Sequence, residues 1–213
     1  MVMPQSDDYP ALCDALLDTI GRIAARHWCP ATGGNFSARI DDQLRLITRS
    51  GRDKTRLSRA DLMLCDARGK ALNPADKPSD ETALHARLYQ LDSRIGAVLH
   101  THSSTATVLS RLSHGSSLSI HGFEMQKAIH GQTSHLDALD VPIFDNTQDI
   151  DALAERVAER WPADATVVPA LLVRGHGLYA WGRDLNEAYR HVEGLEFLFE
   201  CVWQERLATR DLS

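Results

Sequence analysis

The stretch Gly96-Ala-Val-Leu-His100-Thr101-His102-Ser103 constrains this chain more than any other. Small and apolar residues run straight into two histidines two positions apart, the pattern of a buried strand that ends at a polar site. Alternate strand residues share a face, so His100 and His102 can converge on one ion. Neutral imidazole is a good ligand for zinc and similar divalent metals, and a catalytic zinc takes three protein ligands beside an open position. Val173-Arg-Gly175-His176-Gly177 offers the third ligand, because its flanking glycines let the backbone turn sharply and come close at a strand end. A lone His-x-His also occurs at strand ends by chance; the second, glycine-framed histidine favours the metal.

A chain of 213 residues fits one large domain, here taken as 1–213, with room for a substantial core. Its formal charge of −6 argues against nucleic acid or an anionic membrane surface as the main partner, so any phosphate has to be held by a local site. Cys13, Cys29, Cys65 and Cys201 show no CxxC spacing, which fits free thiols in a reducing compartment. The first residues, Met1-Val-Met-Pro-Gln-Ser-Asp-Asp, lack the basic and apolar regions of a leader, and no later run is long enough to span a bilayer. A cytoplasmic protein is expected.

In chain order, Leu12, Leu16, Ile20 and Ile23 recur at helical spacing and predict a helix from about Tyr9 to His27, stopped by Pro30. The loop Ala31-Thr-Gly33-Gly34-Asn35 leads into Phe36–Ile40, and Asp41-Asp42 turns the chain into Leu44–Thr48 as an antiparallel pair. A second loop, Thr48-Arg-Ser50-Gly51-Arg52-Asp53-Lys54, combines hydroxyls, glycine and positive charge. These are the parts of a phosphate cradle, and equally those of a solvated basic turn. After the strand Leu62–Cys65, Ser79 is expected to cap a helix carrying Leu84, Leu88 and Leu91, with acidic residues in its first turn. That N-terminus can help bind an anion if the two loops gather beside it. Asp80 and Glu81 fit as partners of the helix dipole, but Glu81 also precedes the histidine strand closely enough to move protons there.

Beyond His102, Ser103 is expected to cap a helix to about Leu112, and Ser116–His121 to form a strand. Gly122-Phe-Glu124-Met-Gln-Lys127 then sets one acid among apolar neighbours, which spacing alone does not separate from a surface glutamate. Val141-Pro-Ile-Phe144 reads as an edge strand, because proline cannot donate to an internal ladder. A helix from Asp149 with Ile150, Leu153 and Val157 inward ends before Pro162. Thr166–Val173 and Leu178–Gly182 are strands on either side of His176, and Asp184-x-x-Glu187 opens a last helix to about Leu207. His191 on that helix is assigned a structural role.

The ordered set Gly34-Asn35-x-Ser37, Ser50-Gly51, Pro78-Ser79-x-Glu81, His100-Thr-His102-Ser103 and Gly175-His176-Gly177 resembles the class II aldolase/adducin family across nearly the whole chain. Each motif is weak alone; the series is specific. The resemblance implies an α/β fold, three-layer α/β/α with a mainly antiparallel central sheet, and a homotetramer with active sites near subunit boundaries. It also implies one Zn2+ per subunit on His100, His102 and His176. Gly34, Asn35, Ser50, Gly51, Ser79 and Lys54 match positions around a substrate phosphate. Gly33 departs from the family, whose members commonly carry serine there.

Within the family, Trp28-Cys-Pro30-Ala31-Thr32, Arg49-Ser-Gly-x-x-Lys54 and His121-Gly-Phe-Glu124-Met125-x-Lys127-x-Ile129 resemble its sugar-phosphate dehydratases of methionine salvage. That implies a hydro-lyase acting on a small ketose phosphate, with Glu124 as the first candidate for catalytic acid/base. Glu81 falls where the aldolases of the family carry theirs. An aldolase or 4-epimerase would use the same metal and phosphate parts, and an adducin-like binding module would share the fold with a degraded metal site.

Overall fold

The computed structural model describes residues 4–162 and 168–210. Its centre is one eight-stranded sheet: β1 (Asn35–Arg39), β2 (Leu44–Thr48), β3 (Leu62–Asp66), β4 (Ala97–Thr101), β5 (Ser117–Ile120), β6 (Leu139–Phe144), β7 (Ala170–Val173) and β8 (Gly177–Gly182). They lie in the order β3-β2-β1-β4-β8-β7-β6-β5. Only β6 and β7 run parallel; every other neighbouring pair is antiparallel.

Alternation along β4 divides the interior. Ala97 and Leu99 pack with the side of the sheet covered by α1 (Pro10–Ala25), α3 (Ser104–Leu112) and α5 (Leu185–Arg210). Val98 packs on the opposite side with Leu84 and Leu88 of α2 (Thr82–Leu91) and Leu153 and Val157 of α4 (Ile150–Glu159). The result is the expected three-layer α/β/α arrangement, with a mixed, mostly antiparallel sheet between two helical layers. The registers Asn35↔His100 and His100↔Tyr179 set β4 between β1 and β8 at its histidine end.

Strand direction then determines which loops meet. Because β4, β6 and β7 run the same way, their ends lie at one edge of the sheet, together with the start of β1 and the end of β2. Both loops singled out as phosphate candidates open at this edge. Ser103 caps α3 by accepting from the Ala106 N–H at 3.1 Å, as expected, and Asp149, where a helix is expected to begin, caps α4 by accepting from the Ala152 N–H at 3.0 Å.

Two local expectations are corrected. Ser79 is not the N-cap of α2: the helix begins at Thr82 after Glu81, and Ser79 contributes a turn through the Thr82 N–H to Ser79 carbonyl bond of 3.0 Å. Nor is β6 at the edge, since β5 flanks it on one side and β7 on the other. Pro142 is tolerated because pairing with β7 starts only at Ile143, so the missing N–H falls outside that ladder. Of the strand expected over 166–173, β7 covers Ala170–Val173, and Thr166 and Val167 lie outside the described residues.

The four cysteines are unpaired, and no helix among the described residues is long and apolar enough to cross a membrane. Phe36, fully buried on β1, anchors the sheet to the α1/α5 layer directly behind the first loop. Phe36→Ala should cost about 3–5 kcal/mol and lower the melting temperature by on the order of 10 °C, measured by thermal denaturation of the metal-free protein.

Candidate metal centre

His100 and His102 project from β4 and the residue just beyond it, on the side facing α2. Their Nε2 atoms are 2.8 Å apart. His176, on the turn between β7 and β8, places its Nε2 3.3 Å from that of His100 and 3.1 Å from that of His102. The turn depends on its glycines. Gly175 has φ +67, and a Cβ on Gly177 would lie 2.0 Å from the Thr101 carbonyl oxygen, so β8 could not reach β4 there with any side chain in place.

Glu81 completes the group from the start of α2, with Oε1 2.9 Å from His176 Nε2 and 3.5 Å from His100 Nε2. One ligand atom from each of Glu81, His100, His102 and His176 lies within 4.8 Å of all the others. Ligands of a tetrahedral zinc at about 2.0–2.1 Å sit roughly 3.3 Å from one another, close to the spacing of these nitrogens. The donors fit a divalent cation in chemistry as well as in spacing. His100 Nδ1–H donates to the Leu178 carbonyl at 2.9 Å, which leaves Nε2 with its lone pair aimed at the cluster. Tyr179 stacks on the same ring at 3.8 Å between centroids and prevents it from tilting.

Burial favours neutral imidazole. It lowers the pKa of His100, and with the charges of His100 and His176 it pushes His102 down to about 3. Burial opposes ionisation of Glu81, but its polar contacts with His100 and His176 outweigh it and hold the carboxyl far below the usual range. Two imidazoles that burial keeps neutral, the Nε2 of His176 and one carboxylate therefore face a common point.

The loops gather around this cluster. Asn35 Nδ2 donates to Glu81 Oε2, and Ser79 Oγ donates to the same oxygen at 3.2 Å. Gly34 has φ +80, and a Cβ there would meet the His100 carbonyl at 2.7 Å. The Ser50 N–H donates to the Lys77 carbonyl at 3.2 Å, which sets the second loop beside Pro78 and Ser79. Ser50 and Gly51 are exposed at its tip, with φ +69 at Gly51.

Lys54 behaves differently from the projecting cation expected of a phosphate ligand. It is buried, and its Nζ donates to the Thr32 and Arg52 carbonyls at 2.8 Å each, tying the first loop to the second. A cleft of about 940 Å³ opens over the cluster, lined by Pro30, Ser79, Glu81, His102 and His176 and by Thr107, Val108, Asn146, Thr147, Gln148 and Ile150. The 146–148 wall was not anticipated from the sequence. Its only sequence signal is a polar loop after β6, and that becomes informative once β6 is known to end at the same edge as β4.

The family described as "Class II Aldolase and Adducin N-terminal domain" matches residues 14–203. The chain belongs to it. Similar curated relatives include the methylthioribulose-1-phosphate dehydratase of Serratia proteamaculans (strain 568), 53% identical over 194 residues, covering 91% of this chain and 94% of the relative. That of Pectobacterium carotovorum subsp. carotovorum (strain PC1) is 53% identical over 193 residues, with the same two coverages. Among solved structures, L-fuculose-1-phosphate aldolase from Thermus thermophilus superposes with a TM-score of 0.75 at 28% identity, covering 94% of this chain and 97% of the other.

Not every residue singled out in the sequence meets at the cluster. Glu124 does not. It stands on the turn Glu124–Ala128 with its side chain 70% exposed, paired with Lys127 and, at 3.1 Å, with His135 Nδ1, and it lies outside the cleft. Tyr179 is buried behind His100, while Trp28 and Met125 line a separate groove with Phe197. His191 is structural: its Nδ1–H donates to the Trp181 carbonyl at 2.6 Å and its Nε2 accepts from the His130 N–H at 3.1 Å.

Burial lowers the pKa of His85, His100, His102 and His191, and raises that of Glu196 to about 7. On unfolding, each of these histidines takes up a proton at its ordinary value near 6.5, which removes stability as pH falls below that value; Glu196 acts in the opposite sense between its ordinary value near 4.5 and 7. Four groups against one leave a net loss. The melting temperature of the metal-free protein should fall as pH is lowered from 7 toward 5, and a flat profile by calorimetry would contradict the burial of these imidazoles as neutral rings.

Proposed function

We propose that this chain is a zinc-dependent hydro-lyase that dehydrates 5-methylthioribulose 1-phosphate to 2,3-diketo-5-methylthiopentyl 1-phosphate in methionine salvage, working as a cytoplasmic homotetramer of single-domain chains. The observation that carries the reading is 53% identity, over 91% of the chain, to relatives named for that dehydratase. The complete histidine set supports it. It also speaks against a binding module with a degraded site.

His100, His102 and His176 would hold a divalent ion, which when bound would supply Lewis-acid polarisation of the ketose. The chain's own groups do the rest. Backbone amides at Gly34 and Gly51, with Asn35, Ser50 and Ser79, receive the phosphate, while buried Lys54 holds the two loops in register and lends positive charge from behind. A carboxylate removes the C3 proton, and an acid delivers a proton to the departing C4 hydroxyl, which leaves as water. The remaining enol takes a proton at C4 and becomes the diketone.

Glu124 is assigned the proton transfer. Its distance from its own cluster is reconciled by the tetramer, in which the exposed Glu124 turn of one protomer closes the cleft of its neighbour. Glu81, held by Asn35 and Ser79, orients the centre and is the alternative base. An aldolase or 4-epimerase activity is the second reading, favoured by Glu81 standing at the cluster and by the structural match to L-fuculose-1-phosphate aldolase.

Incubation with 5-methylthioribulose 1-phosphate should release one water per substrate, with the diketone visible by NMR; cleavage or epimerisation of other ketose phosphates instead would favour the second reading. Glu124→Gln should keep its metal and lower kcat by about 10²–10⁴-fold. Mixed tetramers of Glu124→Gln and His100→Asn chains should recover activity that neither parent shows. Parental levels in the mixture would contradict a Glu124 contributed across the boundary.

A further inference from the structure

Thr101 stands between the two histidines of β4 and, by strand alternation, faces the other side of the sheet. There it meets Glu196 of α5. Glu196 is buried at 4% exposure, and its Oε1 accepts from Thr101 Oγ1 at 2.9 Å while Oε2 accepts from Ser103 Oγ at 2.5 Å. Ser103 Oγ is also the cap of α3. One turn into α3, Thr107 Oγ1 donates to the Ser103 carbonyl at 2.7 Å and to the His176 carbonyl at 2.9 Å.

A carboxylate inside an apolar helix layer is costly to bury and is retained only where hydrogen bonds compensate it. Its flanking residues, Leu195 and Phe199, are fully buried. Two hydroxyls are its partners, and both belong to the segment that carries the histidines.

We propose that Glu196 is a positioning residue for the metal centre. By gripping Thr101 and Ser103 from behind the sheet it fixes the rotation of the backbone that presents His100 and His102, and through the cap of α3 and Thr107 it fixes the turn that presents His176. No atom of Glu196 needs to touch substrate or ion. The proposal rests on the metal reading of the cluster.

The test uses the full-length protein reconstituted with Co2+, comparing wild type with Glu196→Gln, Glu196→Leu and Thr101→Val. Three quantities are read: the Co2+ dissociation constant by chelator competition, the visible ligand-field spectrum, and Tm. Glu196→Leu and Thr101→Val should weaken Co2+ binding by about tenfold or more and alter the spectrum. Glu196→Gln can accept one hydroxyl and donate to the other, and should restore affinity to within about threefold of wild type. Thr101→Val removes a single hydroxyl at constant shape, so it decides the matter if Glu196→Leu does not fold. Wild-type affinity and spectrum in Thr101→Val, whatever its Tm, would overturn the proposal. Wild-type protein that binds no Co2+ or Zn2+ would instead overturn the metal reading on which it rests.

Discussion

The alternation of side chains across β4 is the constraint on which the rest of the site depends. His100 and His102 face α2, while Leu99 and Thr101 face the α5 layer, so one strand forms both the metal cluster and its support. Slipping the strand by one residue would send both histidines into an apolar layer and Thr101 into the cleft. The pairing of β4 with β1 on one side and β8 on the other prevents that slip. Gly177 permits the close approach of β8 that brings His176 to the same point.

Electrostatics follow from that packing. Imidazoles withdrawn from water resist protonation, and the Glu81 carboxylate among them stays ionised because the imidazoles, with Asn35 and Ser79, are its partners. The arrangement has a deficit of positive charge that a divalent cation matches. Lys54 shows the same principle with the sign reversed: a buried ammonium is tolerated because two carbonyls receive it, and those carbonyls, of Thr32 and Arg52, belong to the two loops singled out as phosphate candidates. A residue that looks in the sequence like a phosphate ligand therefore also acts as a tie between loops.

Of the two candidate acids, Glu81 stands at the cluster and Glu124 does not. The Glu124 turn packs against α5 where Ala128 and Ile129 meet Gly194, and buried Gln126 ties it to Phe123 and Asp137, yet the carboxylate itself is exposed beside exposed Met125. The groove lined by Trp28, Met125 and Phe197 lies in the same region.

Much of the fold and site was legible because the signals were local. Helical spacing of Leu12, Leu16, Ile20 and Ile23 marks α1, Ser103 and Asp149 mark caps, and the His-x-His and Gly-His-Gly motifs mark the three imidazoles. The position of β6 was not legible, because whether a proline lies inside a ladder depends on which residues the partner strand pairs with. Glu196 left a trace that spacing alone does not interpret: an acid on the apolar face of α5, one turn from Val192 and near Phe199. Sequence by itself determined residue types, helical and strand periods and the order of motifs, since these depend on neighbours a few positions apart. Only the tertiary structure decided that residues 81, 100, 102 and 176 share one point, that Glu124 does not join them, and that Glu196 stands behind them. Those facts depend on strand order and register, which join residues far apart in the chain through hydrogen bonds between strands and the burial of both faces of the sheet.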